Sequence, residues 1–356
     1  MPKLPTSVVR LMDASLNRAS EGARVVEDYA RFVLDDAHLS RLAKELRHGL
    51  AEAGAVLPAT DRLAARNTPG DVGAAISTDS ESQRTDAWAV CGASLGRLQE
   101  ALRSLEEYGK TINASTGSRF ERLRYQAYTL AAGLGATHRG IEKIGEARLY
   151  GLVDGDESES AFAARVETLC QSGVDVMQLR DKRLADRQLV ERAKLLASIS
   201  RQAGVISIIN DRADIAFAAG ADGVHVGQEE LTVRDVRAVI GTEALVGVST
   251  HSIDQARAAV LAGADYLGVG PTFPTNTKSF DVFPGPDFVR EVAAEISLPA
   301  FAIGGITAEN VGRVIKAGLS RVAVSSAITT AADPGEAARK LKALLLGPVG
   351  GSELKD

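Results

Sequence analysis

From Ala147 onward the sequence alternates, eight times over, a short apolar run with a stretch of helical character. The runs fall at about 147–153, 175–180, 205–210, 222–227, 244–249, 265–270, 299–304 and 321–326. Several of the intervening stretches end in glycine, at Gly173, Gly204, Gly220, Gly241, Gly263 and Gly318. Parallel neighbours need a crossover long enough to hold a helix, and eight strand–helix units in succession predict a closed (β/α)8 barrel. An open doubly wound sheet is the alternative, but no dinucleotide fingerprint accompanies these strands.

In such a barrel the chemistry collects where the strands end, which selects the residues worth weighing. The second run ends in Gln178-Leu179-Arg180-Asp181-Lys182, where Arg180 and Lys182 alternate with the residues between them. An Arg180–Asp181 surface pair is the plain reading of that segment alone. The third run ends in Asn210-Asp211 and the fourth leads to Glu230, two carboxylates of the kind Mg²⁺ takes beside phosphate oxygens. Ser249 closes the fifth run. The sixth breaks at Pro271 and Pro274 into a loop with Thr275, Asn276, Thr277 and Lys278. Gly304-Gly305 and Ser325-Ser326 follow runs seven and eight, where this fold usually cradles a phosphate. That gives one station fit for a phosphate monoester. A second, made of Arg180, Lys182, Lys278 and a carboxylate-bound Mg²⁺, carries enough positive charge for a diphosphate. A diphosphate beside a metal is a leaving group, which implies transfer onto a phosphorylated acceptor.

With those residues in place, the barrel segment resembles the thiamine phosphate synthase family. The matching motifs are Gln178–Lys182, Asn210-Asp211, Gly223–Gln228, Gly247–Ser249, Gly270–Lys278, Gly304–Ile306 and Ser325–Ile328. The resemblance implies that Gln178 through Lys182, with Leu179 and Asp181 included, together with Asn210, Ser249 and Lys278, bind a hydroxymethylpyrimidine diphosphate. Arg180, Lys182, Ser249 and Lys278 would act in catalysis. Asp211 and Glu230 would hold Mg²⁺, although the family usually has Asp where this chain has Glu230. Thr275, Asn276, Thr277, Gly305, Ser325 and Ser326 would bind the thiazole phosphate. The implied reaction begins with diphosphate departure to a pyrimidinyl-methyl cation, which the thiazole nitrogen attacks. His225, inside a strand, reads as a packed or hydrogen-bonded ring. His251 keeps open a rival tautomerase-like barrel, in which acid–base residues act on a thiazole carboxylate phosphate.

At 356 residues the chain is long enough for a second domain. Residues 7 to about 140 read as an antiparallel all-α helical bundle, with Asp13 as an N-cap and residues 66–73 as a loop. Helices are expected at about 13–34, 39–57, 86–108 and 118–134. A weak repeat sets Arg18, Glu21, Arg24, Glu27, Asp28 and Tyr29 against Arg97, Glu100, Arg103, Glu106, Glu107 and Tyr108. Positions i, i+3 and i+6 share one helix face, so each helix shows an Arg-Glu-Arg stripe. The plain reading is a solvated, ion-paired face; the sharper one makes Arg18, Arg24, Asp71, Arg97 and Arg103 the candidate site of a phosphorylated ligand. This half resembles the helical domain found alone or fused to thiamine phosphate synthases and implicated as a hydroxymethylpyrimidine phosphate kinase. That resemblance implies ATP as donor; the alternative is a non-catalytic bundle for docking or homo-oligomerisation. The expected boundaries are 1–134 for this domain, 135–146 for a linker, 147–346 for the barrel and 347–356 for a flexible tail.

The first 140 residues carry a net charge of about +1 and the rest about −6, so neither half suggests a nucleic-acid surface. No apolar run has the length of a membrane span. Cys91 and Cys170, one in each half, suggest neither a disulfide framework nor a zinc site. The expectation is a cytoplasmic enzyme acting on small molecules.

Overall fold

The computed structural model describes residues 4–72, 83–274 and 284–347, and divides into two compact units, residues 1–134 and 135–356. The first unit is helical: α1 Thr6–Asp28, continued by a π-helical stretch Tyr29–Val33, then α2 Ala37–Gly54, α3 Ala59–Ala65, α4 Ala87–Gly109 and the start of α5, Ala114–Ile144. Met12, Leu16, Ala19, Ala23 and Val26 form the buried stripe of α1, and Leu95, Leu98, Leu102 and Leu105 that of α4. The two helices meet closely at Gly22, where a Cβ would stand 2.9 Å from the Ser94 carbonyl oxygen. Asp36 and Asp86 cap α2 and α4, accepting from the amides of Leu39 and Ala89 at 2.7 and 2.8 Å.

Two expectations need correction. Asp13 caps nothing: α1 starts at Thr6 and runs through it, and its buried carboxylate accepts from Arg66 at 2.5 Å. Residues 135–146 are not a linker either, because α5 continues to Ile144. There Ile144 joins the interior cluster of the second unit, and Arg139 donates to the fully buried Asp265 at 2.6 Å. Gly140, one of the residues that made this stretch look like a linker, is instead a close approach: a side chain would strike the Asp265 carbonyl.

The second unit is a closed barrel of eight parallel strands in sequential order. They are β1 Leu149–Val153, β2 Val176–Leu179, β3 Ile206–Asn210, β4 Gly223–Val226, β5 Leu245–Thr250, β6 Tyr266–Val269, β7 Ala300–Ile303 and β8 Val322–Val324. Each overlaps its expected run. The six helix-ending glycines all have positive φ, between 63° and 106°. Tyr150, Val176, Ile208, Leu245, Tyr266, Phe301 and Ala323 form one buried cluster. Among the described residues, no helix is long and apolar enough to cross a membrane, and both cysteines are free thiols.

Candidate active site

Strand alternation decides which residues reach the mouth of the barrel. On β2 and just beyond it, Gln178, Arg180 and Lys182 line a cavity of about 580 Å³ at the C-terminal ends of the strands. Asn210, Asp211, Glu230 and Ser249 line it too, and Gly305, Ser325 and Ser326 stand on its wall. Ten residues singled out from the sequence therefore share one space.

Leu179 and Asp181 do not. Period-2 geometry turns both away: Leu179 is buried, and the Asp181 carboxylate accepts from the Gly155 amide at 3.0 Å and the Arg183 amide at 2.7 Å. Burial alone would raise the Asp181 carboxyl, but the bonds from Arg183 and Gly155 outweigh it and hold it well below the usual carboxylate range. Asp181 braces the β2 loop. Thr275, Asn276, Thr277 and Lys278 lie outside the described residues, as do residues 348–356 of the expected tail.

The start of the loop after β6 is nevertheless visible. Its Thr272 and Phe273 amides donate to the carbonyls of Ile303 and Gly304 at 2.8 and 2.9 Å, stitching it to the end of β7. Gly305 permits the crossing: it has φ +62°, and a Cβ there would stand 2.8 Å from the Phe273 oxygen. Asn310 Nδ2 donates to the Gly305 carbonyl at 2.8 Å, and the Ser325 hydroxyl to the Leu152 carbonyl at 3.1 Å. The wall carrying Gly305 and Ser325 is thus fastened by the chain's own hydrogen bonds.

On the opposite wall Asp211 faces Glu230. Burial, then the Glu230 charge, push the Asp211 carboxyl above its ordinary value; Lys182 and Arg180 oppose the rise. Lys182 Nζ is 3.8 Å from Asp211 Oδ2. Glu230 folds over Gly227, occupying the space a side chain there would need. Two hard oxygen donors that repel one another fit a divalent cation such as Mg²⁺, whose remaining positions would be filled by water and phosphate oxygens. Among the described residues, no group of three or more His, Cys, Asp or Glu gathers as an all-protein metal cage.

A run of hydrogen bonds crosses the barrel beneath this cavity. Ser249 Oγ is 2.9 Å from His225 Nε2, and His225 Nδ1 is 3.3 Å from the Tyr266 hydroxyl. The Tyr266 and Tyr150 hydroxyls are 3.1 Å apart, and Tyr150 donates to Gln178 Oε1 at 3.0 Å. Gln178 Nε2 donates to Asn210 Oδ1 at 2.7 Å, and Asn210 Nδ2 to Asp211 Oδ2 at 2.6 Å. Burial keeps the His225 ring neutral, lowering its pKa to about 4. Gly247 makes room for these rings, since a Cβ there would strike the Tyr266 ring and stand 2.5 Å from His225 Nδ1. His225 fits the reading of a hydrogen-bonded ring. Tyr150 and Tyr266 carried no sequence signal, because an aromatic in an apolar strand reads as core. His251 also lines the cavity, its Nδ1 2.5 Å from the Gly270 carbonyl oxygen.

In the helical unit the candidate residues are spread over exposed surface. Arg18, Arg24, Arg97, Arg103 and Asp71 are all exposed. Arg24 pairs with Asp28 at 3.3 Å and Arg103 with Glu106 at 2.8 Å and Glu107 at 2.9 Å, as the solvated-face reading requires. Arg97 donates to Ser94 Oγ at 3.0 Å. The repeat is most evident one turn further on. Glu27 and Glu106, matched in sequence, are both buried, and each accepts from an arginine of the next long helix, Arg47 at 2.6 Å and Arg124 at 2.7 Å.

Two family models match the chain. One, described as thiamine monophosphate synthase, matches residues 149–328; the other, the ThiD2 family, matches residues 10–133. A thiamine-phosphate synthase of Rhodopirellula baltica is 48% identical over 334 residues, covering 90% of this chain and 88% of its own. One from Synechocystis is 39% identical, covering 95% and 96%. Among solved structures, a thiamine phosphate pyrophosphorylase from Pyrococcus furiosus aligns with a TM-score of 0.52 at 30% identity, over 57% of this chain and 98% of its own.

Proposed function

The chain belongs to the thiamine monophosphate synthase family, and we propose that the cavity ringed by Gln178, Arg180, Lys182, Asn210, Asp211 and Ser249 is where it performs that family's condensation. It is a transferase of thiamine biosynthesis, joining a pyrimidine diphosphate to a thiazole phosphate with release of diphosphate. The observation that carries the site assignment is the convergence of these residues with Gly305, Ser325 and Ser326 on one space large enough for two small substrates.

The C–O bond to the diphosphate breaks and a C–N bond to the thiazole nitrogen forms. Catalysis of such a step asks for stabilisation of the departing charge and close positioning of the acceptor. Arg180 and Lys182 supply cationic donors on the β2 side, and the family resemblance gives Lys278 the same task. Gln178, Asn210 and Ser249 hold the pyrimidine ring. Gly305, Ser325 and Ser326 hold the thiazole phosphate on the far wall, a task the family resemblance also gives to Thr275, Asn276 and Thr277.

Asp211 and Glu230 would hold Mg²⁺. On the described walls Arg180 and Lys182 are offset by these two carboxylates, so a diphosphate calls for further positive charge. When bound, Mg²⁺ supplies that charge to the leaving group.

We further read the helical unit as a kinase that makes the pyrimidine diphosphate from its monophosphate, with ATP as donor. The ThiD2 family match over residues 10–133 favours this over a docking bundle. A cytoplasmic location suits two free thiols.

The purified chain is given ATP, Mg²⁺, hydroxymethylpyrimidine monophosphate and thiazole phosphate. Thiamine phosphate formed from the monophosphate supports both activities. Product only from added pyrimidine diphosphate removes the kinase, and no product from either removes the synthase reading as well.

A further inference from the structure

The chain of hydrogen bonds beneath the cavity has a direction, and Asp211 sets it. A carboxylate offers only acceptors, so Asn210 must turn its Nδ2 toward Asp211 and its Oδ1 toward Gln178. Gln178 then presents Nε2 to Asn210 and Oε1 to Tyr150. The Tyr150 hydroxyl proton is therefore committed to Gln178, and Tyr150 can only accept from Tyr266. With its own proton committed in turn, Tyr266 can only accept from His225 Nδ1–H. A neutral imidazole protonated at Nδ1 has a bare Nε2, which accepts the Ser249 hydroxyl proton. Each bond fixes the next, from β3 through β2, β1, β6 and β4 to Ser249 on β5.

We propose that His225, backed by Tyr266 and Tyr150, is a positioning residue that holds the Ser249 hydroxyl proton away from the cavity, so that Ser249 meets the substrate as an acceptor. This rests on the synthase reading for the identity of the substrate, an aminopyrimidine whose exocyclic amino group is the N–H donor such an acceptor selects. As positive charge develops on the ring after diphosphate departs, that amino group becomes a stronger donor. An acceptor fixed in advance then stabilises the cation more than the ground state. Neutrality of the buried His225 ring agrees with the order, since a doubly protonated ring could not accept from Ser249.

Two substitutions separate this role from packing. His225→Gln can place an amide oxygen near the former Nε2 and keep an acceptor for Ser249; His225→Asn is too short to do so. The full chain is labelled with ¹⁵N-histidine, and the His225 signals are assigned by their loss in His225→Asn. The expected wild-type ring carries its proton on Nδ1. In Tyr266→Phe, which removes the acceptor for that proton, the ring should lose this preference. In steady-state assays with ready-made pyrimidine diphosphate, His225→Asn should lower kcat roughly ten- to hundredfold, the scale of one lost buried hydrogen bond. Its KM for thiazole phosphate should stay within about twofold, and His225→Gln should recover most of the loss. A wild-type ring protonated on Nε2 would overturn the proposal. So would equal activity of the Gln and Asn variants at equal melting temperature. A chain that keeps the Nδ1–H ring yet makes no thiamine phosphate would support the ordered network and sink the synthase reading instead.

Discussion

Gln178 donates from Nε2 to Asn210 Oδ1 at 2.7 Å, so the side chains ending β2 and β3 are locked together before substrate binds. Gln178 is also the acceptor for the buried Tyr150 hydroxyl. Gln178→Leu fills a similar volume but strips the Tyr150 hydroxyl proton of its acceptor and Asn210 Oδ1 of its donor. It should lower stability by about 1–3 kcal/mol and raise the KM for the pyrimidine diphosphate. Chemical denaturation and steady-state kinetics together check this; unchanged values in both would remove Gln178 from the bonded core of the site.

Gly247 marks a place where the barrel has no room. A methyl group there meets the Tyr266 ring and His225 Nδ1, both held by hydrogen bonds. Gly247→Ala should destabilise the barrel by about 1–3 kcal/mol, as overpacking does, and lower turnover by displacing the His225 ring. A variant with wild-type melting temperature and kcat would show that the rings yield freely.

Much of this site was legible in the sequence, for a physical reason. Gln178, Arg180 and Lys182 alternate at the end of an apolar run, and a strand must put alternate side chains on one face. The same rule should have excluded Leu179 and Asp181, which the resemblance carried in as part of a contiguous segment. Asp13 was misplaced because an acid near a helix start looks like a cap, whereas its partner Arg66 lies far along the chain. The expected linker failed similarly: Arg139 and Gly140 look like solvent-facing residues until Asp265 is seen against them. Long-range pairing of polar groups leaves no local pattern to read, and Tyr150 and Tyr266 escaped notice for that reason.

Glu230 and Asp211 set a pH dependence with a definite sign. Burial, then the Glu230 charge, raise the Asp211 carboxyl, so as pH falls Asp211 takes up a proton earlier than an ordinary aspartate; on the proposed Mg²⁺ assignment, that proton should expel the ion. Glu230→Gln removes one of these causes. The acid limb of Mg²⁺ binding should move to lower pH, while affinity at neutral pH falls because a ligand charge is lost. Calorimetric Mg²⁺ titrations across pH check both; a limb displaced upward would contradict the pairing.

His225 carries its own linkage. Its ring has a pKa of about 4 in the folded chain, below the ordinary 6.5. As pH falls below 6.5 the unfolded chain binds a proton that the folded ring refuses. Stability is lost progressively until about 4, where the folded ring also protonates and the loss ends. His225→Gln lacks this contribution, so the wild-type advantage in denaturant midpoint should shrink between pH 7 and 4.5. An advantage that grows toward acid would mean the ring is protonated in the fold.

The most direct measurement is thiamine phosphate formation from ready-made pyrimidine diphosphate and thiazole phosphate, with Mg²⁺ present, by wild type and by Arg180→Ala. Arg180 lines the cavity beside the two carboxylates and is assigned to the departing diphosphate. Wild type should turn over, and Arg180→Ala should lose roughly a hundred- to a thousandfold in kcat, the scale of removing one preorganised donor from a developing charge. Near-equal turnover by the two chains would place diphosphate departure somewhere other than this cavity wall.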